Sequence, residues 1–223
     1  MGSDKLKIFL KSIHKEYVEA RKIKVGNREA KRVIRGRSRS ISSIAEDLFA
    51  KLLWREFKSK KIYIFVDQPI SLEGKGKTYY PDIVICKHIN KDEYEIYNMI
   101  DLKLDIGWHR NSFFKEIKKI ISICNGMKMA KALKGKIGNV EDESKPSIKF
   151  RINSKATYDV VLISSRNSGE NENKIISASN DKKSNIWVLS TGGSLNQYVF
   201  KREIVPNEKD YKTLINKIRK VLK

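Results

Sequence analysis

The sequence has few cysteines and no long hydrophobic run. Its 223 residues include two cysteines, Cys86 and Cys124, and no zinc-type Cys/His spacing. We therefore expect no disulfide framework, and we expect both thiols to be buried in a reducing compartment. No apolar run approaches the roughly 18 residues that a membrane span needs, and no signal-peptide pattern opens the sequence. The sequence thus predicts a cytoplasmic protein with no membrane partner.

Acidic residues are scarce relative to basic ones. The 26 Asp and Glu residues stand against 47 Lys and Arg residues, which gives a formal net charge of +21. This excess goes far beyond what solubility requires and indicates a polyanionic partner, with nucleic acid ahead of an anionic membrane surface. The hydrophobic fraction of 40% is sufficient for a packed core. Length and composition therefore predict one domain, with or without an appended helical arm.

The positive charge is concentrated near the N-terminus. Residues 1–40 contain 13 basic and 4 acidic residues, a net charge of +9, and residues 3–22 show the apolar spacing of a helix. We divide the chain into a basic helical N-terminal arm, residues 1–40, and a main domain, residues 41–223. The stretch 35–40 has no apolar residue and is expected to be a loop, either solvated or in contact with phosphate groups, and the clustered charge favours phosphate contact. The nucleic-acid contacts expected here are Arg32, Arg35, Arg37 and Arg39.

Two β-rich runs, residues 78–86 and 94–105, are separated by a polar turn and predict an antiparallel hairpin. Asp101 and Lys103 are two residues apart on the second strand, so their side chains leave the same face of the sheet. Asp82 opens the first strand, and we expect hairpin pairing to bring it beside Asp101. Two carboxylates and an ammonium group would then meet at one edge of the sheet.

Such a cluster suits a divalent cation and a water molecule. Magnesium takes oxygen ligands, usually one or two carboxylates together with phosphate oxygens of the substrate. In this arrangement Asp82 and Asp101 hold the metal, and Lys103 orients or activates the attacking water. In the alternative interpretation, Asp82 caps a turn, while Asp101 and Lys103 form an ion pair on a solvated strand face. Alternation along the strand does not decide between the two.

Pro81-Asp82 followed by Asp101-Leu102-Lys103 resembles the motif of the PD-(D/E)XK nuclease superfamily, which includes many type II restriction endonucleases. The resemblance covers about residues 43–190. It implies an α/β fold with a restriction-endonuclease-like αβββαβ core, in which helices flank a mixed sheet on both faces. It also implies a Mg²⁺-dependent endonuclease, with Mn²⁺ as a substitute, that hydrolyses phosphodiester bonds of double-stranded DNA. Many members are homodimers, so the resemblance allows a homodimer, and chain length favours a restriction-type enzyme over a junction resolvase.

A helix is predicted over residues 41–60, where Ser43 and Glu46 fit a capping box. In that motif the Glu46 carboxylate bonds to the amide of the cap residue. Glu46 also resembles the acidic residue that many PD-(D/E)XK enzymes place on the helix before the core sheet, as an additional metal ligand. Glu46 is therefore a candidate catalytic and metal-binding residue, and the two alternatives stay open because they use the same atoms.

The rest of the chain alternates between extended and helical patterns. A strand is expected at 62–66, a helix at 112–133, strands at 148–152, 158–164 and 186–190, and a helix at 210–222. Residues 135–156 are otherwise expected to be a surface excursion, and residues 166–185 a loop or a hairpin.

The predicted helix over 112–133 has a basic side next to the hairpin. Such a side is usually only solvated, but beside a cation site it also suits a DNA groove, so Lys115 and Lys119 are candidate nucleic-acid contacts. His109 precedes this helix, and a structural role at the turn is favoured over a role in proton transfer.

Three functions are therefore weighed. The leading hypothesis is the metal-dependent DNA endonuclease, of restriction type or a structure-specific junction, repair or phage nuclease. The second is a nucleic-acid-binding protein without catalysis, which explains the charge equally well. The third is a protein that binds anionic membranes through the helix at 3–22. The recognition sequence and the choice between DNA and RNA do not follow from these residues.

Overall fold

The computed structural model describes residues 2–21, 40–59, 61–72, 78–106, 112–128, 133–136, 147–166, 172–180, 185–193, 195 and 203–223. The helices in this part of the chain are α1 (Gly2–Ala20), α2 (Ser42–Phe57), α3 (Phe113–Lys128), α4 (Glu172–Asn180) and α5 (Glu208–Val221). The strands are β1 (Ile62–Val66), β2 (Ile70–Leu72), β3 (Thr78–Tyr79), β4 (Ile83–Asn90), β5 (Glu93–Lys103), β6 (Leu133–Lys136), β7 (Ser147–Leu162), β8 (Ile186–Val188), β9 (Ser190–Gly192) and β10 (Ile204–Pro206).

Eight of these strands form one mixed sheet in the order β1-β4-β5-β7-β6-β2-β3, with β8 also paired to β7. The first three strands of that order are antiparallel, as predicted for the hairpin. The strand β7 runs parallel to both β5 and β8, and α3 lies between β5 and β7 in the chain. A parallel pair needs such a crossover connection. The predicted α/β class with a mixed sheet is confirmed.

Helices cover both faces of this sheet. On the first, which we call the α5 face, α1, α2 and α5 pack on alternate strand residues that include Ile83, Ile100 and Leu102. On the second, the α3 face, α3 and α4 pack on the intervening residues such as Val160 and Leu162. This division follows from the alternation of side chains along a strand. The predicted flanking of the sheet on both faces is confirmed.

The pairing of β1 with β4 and the pairing of β2 with β3 are separated by an interruption, which we call the corner. It consists of residues 67–69 between β1 and β2 and residues 80–82 between β3 and β4. Each segment contains a proline, Pro69 and Pro81, which has no N–H group to donate to a partner strand. Beyond the corner, β2 pairs with β6 instead of continuing along the first part of the sheet. Asp82 is thus the last residue of the corner before β4 begins.

On the α5 face, one carboxylate joins the three helices α1, α2 and α5. Glu56 of α2 accepts bonds from Lys5 of α1 at 2.8 Å, from Arg219 of α5 at 2.8 Å and from the Tyr211 hydroxyl at 3.1 Å. Burial raises the pKa of Glu56, but Lys5 and the other donors outweigh this effect and lower it below its usual value. We call this group the Glu56 clasp. Apolar residues of α1, Leu6 and Phe9 among them, lie in the same core as α2 and α5.

Three predictions for the second half of the chain are wrong. The helix expected at 112–133 is present at Phe113–Lys128, but its predicted end is wrong, because Leu133–Lys136 is the strand β6, which pairs with β7 and β2. The described parts of the expected surface excursion at 135–156 lie largely in the sheet, since β7 is one strand of 16 residues. Residues 172–180, expected to be a loop or a hairpin, form α4, which buries Ile175 against the α3 face.

Candidate active site

Asp82 lies just beyond the end of the ladder between β4 and β5, beside a β5 amide that has no partner in β4. The pairing of β4 with β5 ends at Ile83 and Ile100, so no strand backbone lies opposite the next amide of β5 on that side. The Leu102 N–H group instead donates to Oδ2 of Asp82 at 2.6 Å. The carboxylate therefore takes the place of a strand carbonyl, and a buried amide that would cost free energy if unpaired is satisfied.

Asp101 and Lys103 lie beside it on the α3 face, as their spacing predicts. Lys103 Nζ donates to Oδ1 of Asp101 at 2.6 Å. The Asp101 side chain is 11% exposed and that of Lys103 is 33% exposed. The intervening Leu102 points to the α5 face and is buried there. The structure thus brings the three residues of the predicted cluster together.

The two carboxyl groups are close enough to share a proton. Burial, the hydrogen bond to Asp101 and the negative charge of Asp101 raise the pKa of Asp82 to about 7, although the Leu102 amide and Lys103 act against this. Two carboxylates at one site cannot both be charged at low cost unless a cation joins them. The Asp82 carboxyl group therefore keeps a proton up to about neutral pH, and the site is short of positive charge.

Lys103 stays charged at this site. Burial by itself lowers the pKa of Lys103, but the adjacent Asp101 and, more weakly, Asp82 and Glu116 reverse this and raise it. Glu116 lies on α3 and also accepts a bond from the Ser112 hydroxyl at 2.5 Å. Sequence reasoning did not single out Glu116, because it lies on the side of a helix whose docking on the sheet is not visible in the local pattern.

Glu46 lies half-buried near the start of α2, but the predicted capping box is wrong. The helix begins at Ser42, its cap residue is Ile41, and no side chain bonds to the cap. Burial raises the pKa of Glu46, and the charges of Asp67, Asp47 and Asp101 add to this while Lys103 opposes it. The charges of Asp101 and Lys103 therefore act on the Glu46 carboxylate. The alternative role of this carboxylate, a bond to the cap of α2, is not observed.

The predicted nucleic-acid contacts are placed in part. Lys115 and Lys119 are exposed on α3, the helix that covers the same sheet face as Asp101. Arg32, Arg35, Arg37 and Arg39 lie outside the described residues, as does His109. Cys86 is buried with a free thiol, as predicted, whereas the side chain of Cys124 lies outside the described part.

The carboxylate oxygens of Asp82 and Asp101 suit a hard cation that takes only some of its ligands from the protein. In the described part of the chain, no group of three or more Asp, Glu, His and Cys side chains is arranged to hold a metal ion. Mg²⁺ needs only one or two protein carboxylates, because waters and substrate phosphates supply its other ligands. Asp82 and Asp101 meet this requirement, and their surplus of negative charge is what a divalent cation would neutralise.

A second buried carboxylate lies on the other face of the sheet and was not predicted. Asp159 is fully buried and accepts bonds from the amide of Asn98 at 2.6 Å, the indole of Trp187 at 2.6 Å and the ammonium of Lys217 at 2.5 Å. The Thr157 hydroxyl adds a fourth bond at 3.2 Å. We call this group the Asp159 network. Its members come from four separate elements, so no local motif could reveal it.

Comparison with known proteins gave no match. No family model matches the chain, and neither the curated proteins nor the solved structures include a significant match. Within the described residues, no helix has both the length and the hydrophobicity to cross a membrane.

Proposed function

We propose that the chain is a Mg²⁺-dependent nuclease that hydrolyses phosphodiester bonds of DNA. The observation that carries this proposal is the meeting of Asp82, Asp101 and Lys103 at one end of β5. A carboxyl group whose pKa is raised by burial and by a neighbouring charge, as that of Asp82 is, is typical of functional sites. The basic composition supplies the affinity for a polyanion.

The order of elements supports the same proposal. A helix, three antiparallel strands, a second helix and a parallel strand follow one another as α2, β1, β4, β5, α3 and β7. Three strands interrupt this order, β2 and β3 at the corner and β6 between α3 and β7. This is the αβββαβ order implied by the resemblance to PD-(D/E)XK nucleases. A restriction-type enzyme acting on double-stranded DNA, with a homodimer as one possible form, is the specific version of the proposal.

Each residue has a role that its surroundings allow. Asp82 and Asp101 would hold Mg²⁺, or Mn²⁺ in its place, and Glu46 would act on the bound ion through its charge, without forming a three-carboxylate group with them. The bound ion supplies positive charge to the scissile phosphate. Lys103 keeps its charge beside Asp101 and would position and polarise the attacking water. Lys115 and Lys119 would contact the DNA backbone, which gives affinity but no sequence readout.

The test is cleavage of a mixed pool of plasmid and phage DNA, with and without Mg²⁺, by the wild type and by Asp101→Asn. Asp92→Asn is the matched control, because Asp92 is exposed in the β4–β5 turn. We expect Mg²⁺-dependent fragments, at least about 100-fold slower cleavage in Asp101→Asn, and no change in the control. Discrete fragments would identify a sequence-specific enzyme, and smearing a nonspecific or structure-directed one.

A non-catalytic nucleic-acid-binding protein is the second candidate. It is favoured by the direct ion pair of Lys103 with Asp101 and by the lack of a three-residue metal cluster among the described residues. Salt-sensitive binding without cleavage of linear DNA, branched DNA or RNA would establish this candidate instead. A thermal shift with Mn²⁺ that Asp101→Asn abolishes would show metal binding independently of activity.

A further inference from the structure

The corner contains a residue in an unusual backbone conformation. Asp67 has a φ of +47°, and Asn185 at +56° is the other non-glycine residue of the described part of the chain whose φ lies in the left-handed region. Side chains with a Cβ rarely adopt this left-handed region, and Asp and Asn tolerate it best. Asp67 directly follows β1, the strand that pairs with β4.

This conformation has a specific bonding partner. The Asp67 N–H group donates to the backbone carbonyl of Asp82 at 2.9 Å. This bond is made after the ladder between β1 and β4 has ended at Val66 and Ile83. The left-handed rotation follows this N–H group in the chain, so β1 stays joined to β4 for one more bond and the chain can turn away towards β2 immediately after it.

Asp82 is consequently held at two points. Its carbonyl accepts from Asp67, and its carboxylate accepts from the Leu102 amide at 2.6 Å. The preceding residue is Pro81, whose own φ is fixed by its ring, so the chain that leads into Asp82 is restricted as well. The first bond fixes the main chain, and the second fixes the direction of the side chain.

We propose that Asp67 is a positioning residue whose left-handed backbone, and not its carboxylate, sets the corner and aims Asp82 at Leu102. The side chain of Asp67 is exposed, whereas its amide makes the contact. The inference concerns the geometry of the site, and only its consequence for hydrolysis rests on the proposed function.

The experiment compares three variants that separate conformation from charge. Asp67→Gly and Asp67→Asn remove the carboxylate but accept a positive φ, whereas Asp67→Val opposes it. The readout is the hydrogen-exchange rate of the Leu102 amide by NMR, relative to the buried Ile85 amide in β4. This rate reports the bond to Asp82 directly and requires neither metal nor cleavage.

We expect Asp67→Val to accelerate Leu102 exchange by about tenfold relative to Ile85, the ratio that corresponds to the free-energy cost of the left-handed conformation. Asp67→Gly and Asp67→Asn should leave the ratio unchanged. Asn185→Val is the control for general strain, because Asn185 adjoins β8, two strands from β5. It should destabilise the protein without changing the ratio.

Three results would overturn the inference. The ratio stays constant in Asp67→Val, or it rises equally in Asp67→Gly and Asp67→Asn, or it rises in Asn185→Val. A wild type that cleaves no nucleic acid would refute the proposed function, while the exchange ratios would still decide the role of Asp67. If cleavage is found, Asp67→Val should lower kcat with little change in KM, whereas the kcat of Asp67→Gly should equal that of the wild type.

Discussion

Two buried carboxylate groups lie on opposite faces of the same sheet, and they are satisfied very differently. Asp159 has four donors, one of them the ammonium group of Lys217. Asp82 and Asp101 together have one ammonium group, one backbone amide and each other. A carboxylate surrounded by protein donors serves the fold, whereas a carboxylate pair that lacks donors has capacity for a ligand.

The first contrast between the two groups concerns the lysines. Lys103→Met should lower the single-turnover rate of DNA cleavage by roughly 10²–10⁴-fold, since it removes the group that positions and polarises the water. Lys217→Met should leave that rate within a few-fold, provided that the assay is run below its unfolding temperature. Equal losses in the two variants would contradict the division of roles.

The second contrast concerns stability. Asp159→Asn removes the charge that Lys217 and Trp187 require, and we expect a loss of about 3 kcal/mol in the free energy of unfolding. Asp82→Asn keeps an oxygen for the Leu102 amide and removes a like-charge repulsion, so it should be neutral or stabilising at pH 8 without divalent ions. Urea unfolding of both variants measures the difference, and a large loss in Asp82→Asn would remove the contrast.

The third contrast is the dependence of stability on pH. The pKa of Asp82 is about 7 in the folded protein and near the ordinary value when unfolded, so the folded state holds a proton that the unfolded state has released. The contribution of this proton to the free energy of unfolding is therefore complete below about pH 4 and is lost as the pH rises through about 7. Its size is on the order of 2 kcal/mol once solvent screening of this partly exposed group is allowed for. Asp82→Asn should flatten this part of the profile.

Saturating Mg²⁺ at pH 8 should restore the stability of the wild type and leave Asp82→Asn unchanged. Urea unfolding between pH 4 and pH 8, with the variant subtracted from the wild type, isolates Asp82 from other acids such as Glu46 and Asp210, whose pKa burial also raises. Identical profiles for the two proteins would be incompatible with a shared proton at this site.

The smallest expected effect distinguishes the two helical surfaces. Replacing Lys115 and Lys119 on α3 by alanine should reduce the slope of log affinity against log salt by about 0.9 for each phosphate group that is no longer neutralised. The matched pair on α5, Lys212 and Lys220, should leave the slope unchanged. A fluorescence-anisotropy titration of a DNA duplex at several salt concentrations gives both slopes. Equal reductions would mean that DNA does not favour the α3 face.

The hairpin was predictable because its signals are local. Alternation along 94–105 placed Asp101 and Lys103 on one face, and the position of Asp82 followed from antiparallel pairing. The pairing of β4 with β5 could be predicted without the rest of the chain, because the two strands are consecutive and joined by a short turn. Terminal helix α5 was found for the same reason, because its apolar residues recur at helical spacing.

The missed elements depend on distant partners. The strand β6 contains Leu133 and three residues with no strong β-propensity, and it is defined by its pairing with β7 and β2. Helix α4 has nine residues and few apolar ones, of which Ile175 is fully buried, so its sequence offers few positions from which a helix can be recognised. The left-handed backbone of Asp67 likewise could not be read from the sequence, because the bond beside it goes to the carbonyl of Asp82, fifteen residues away, and no local turn motif accompanies it.

The Glu56 clasp has a consequence for how the protein is made. It joins α1 and α5, whose contact residues lie more than two hundred positions apart, and both helices cover one face of the sheet. During translation the apolar residues that α5 covers on that face stay exposed until α5 has left the ribosome. Contacts of such long range also slow folding. The nascent chain therefore passes through a stage that is prone to aggregation, and that stage lasts at least until α5 can pack on the sheet.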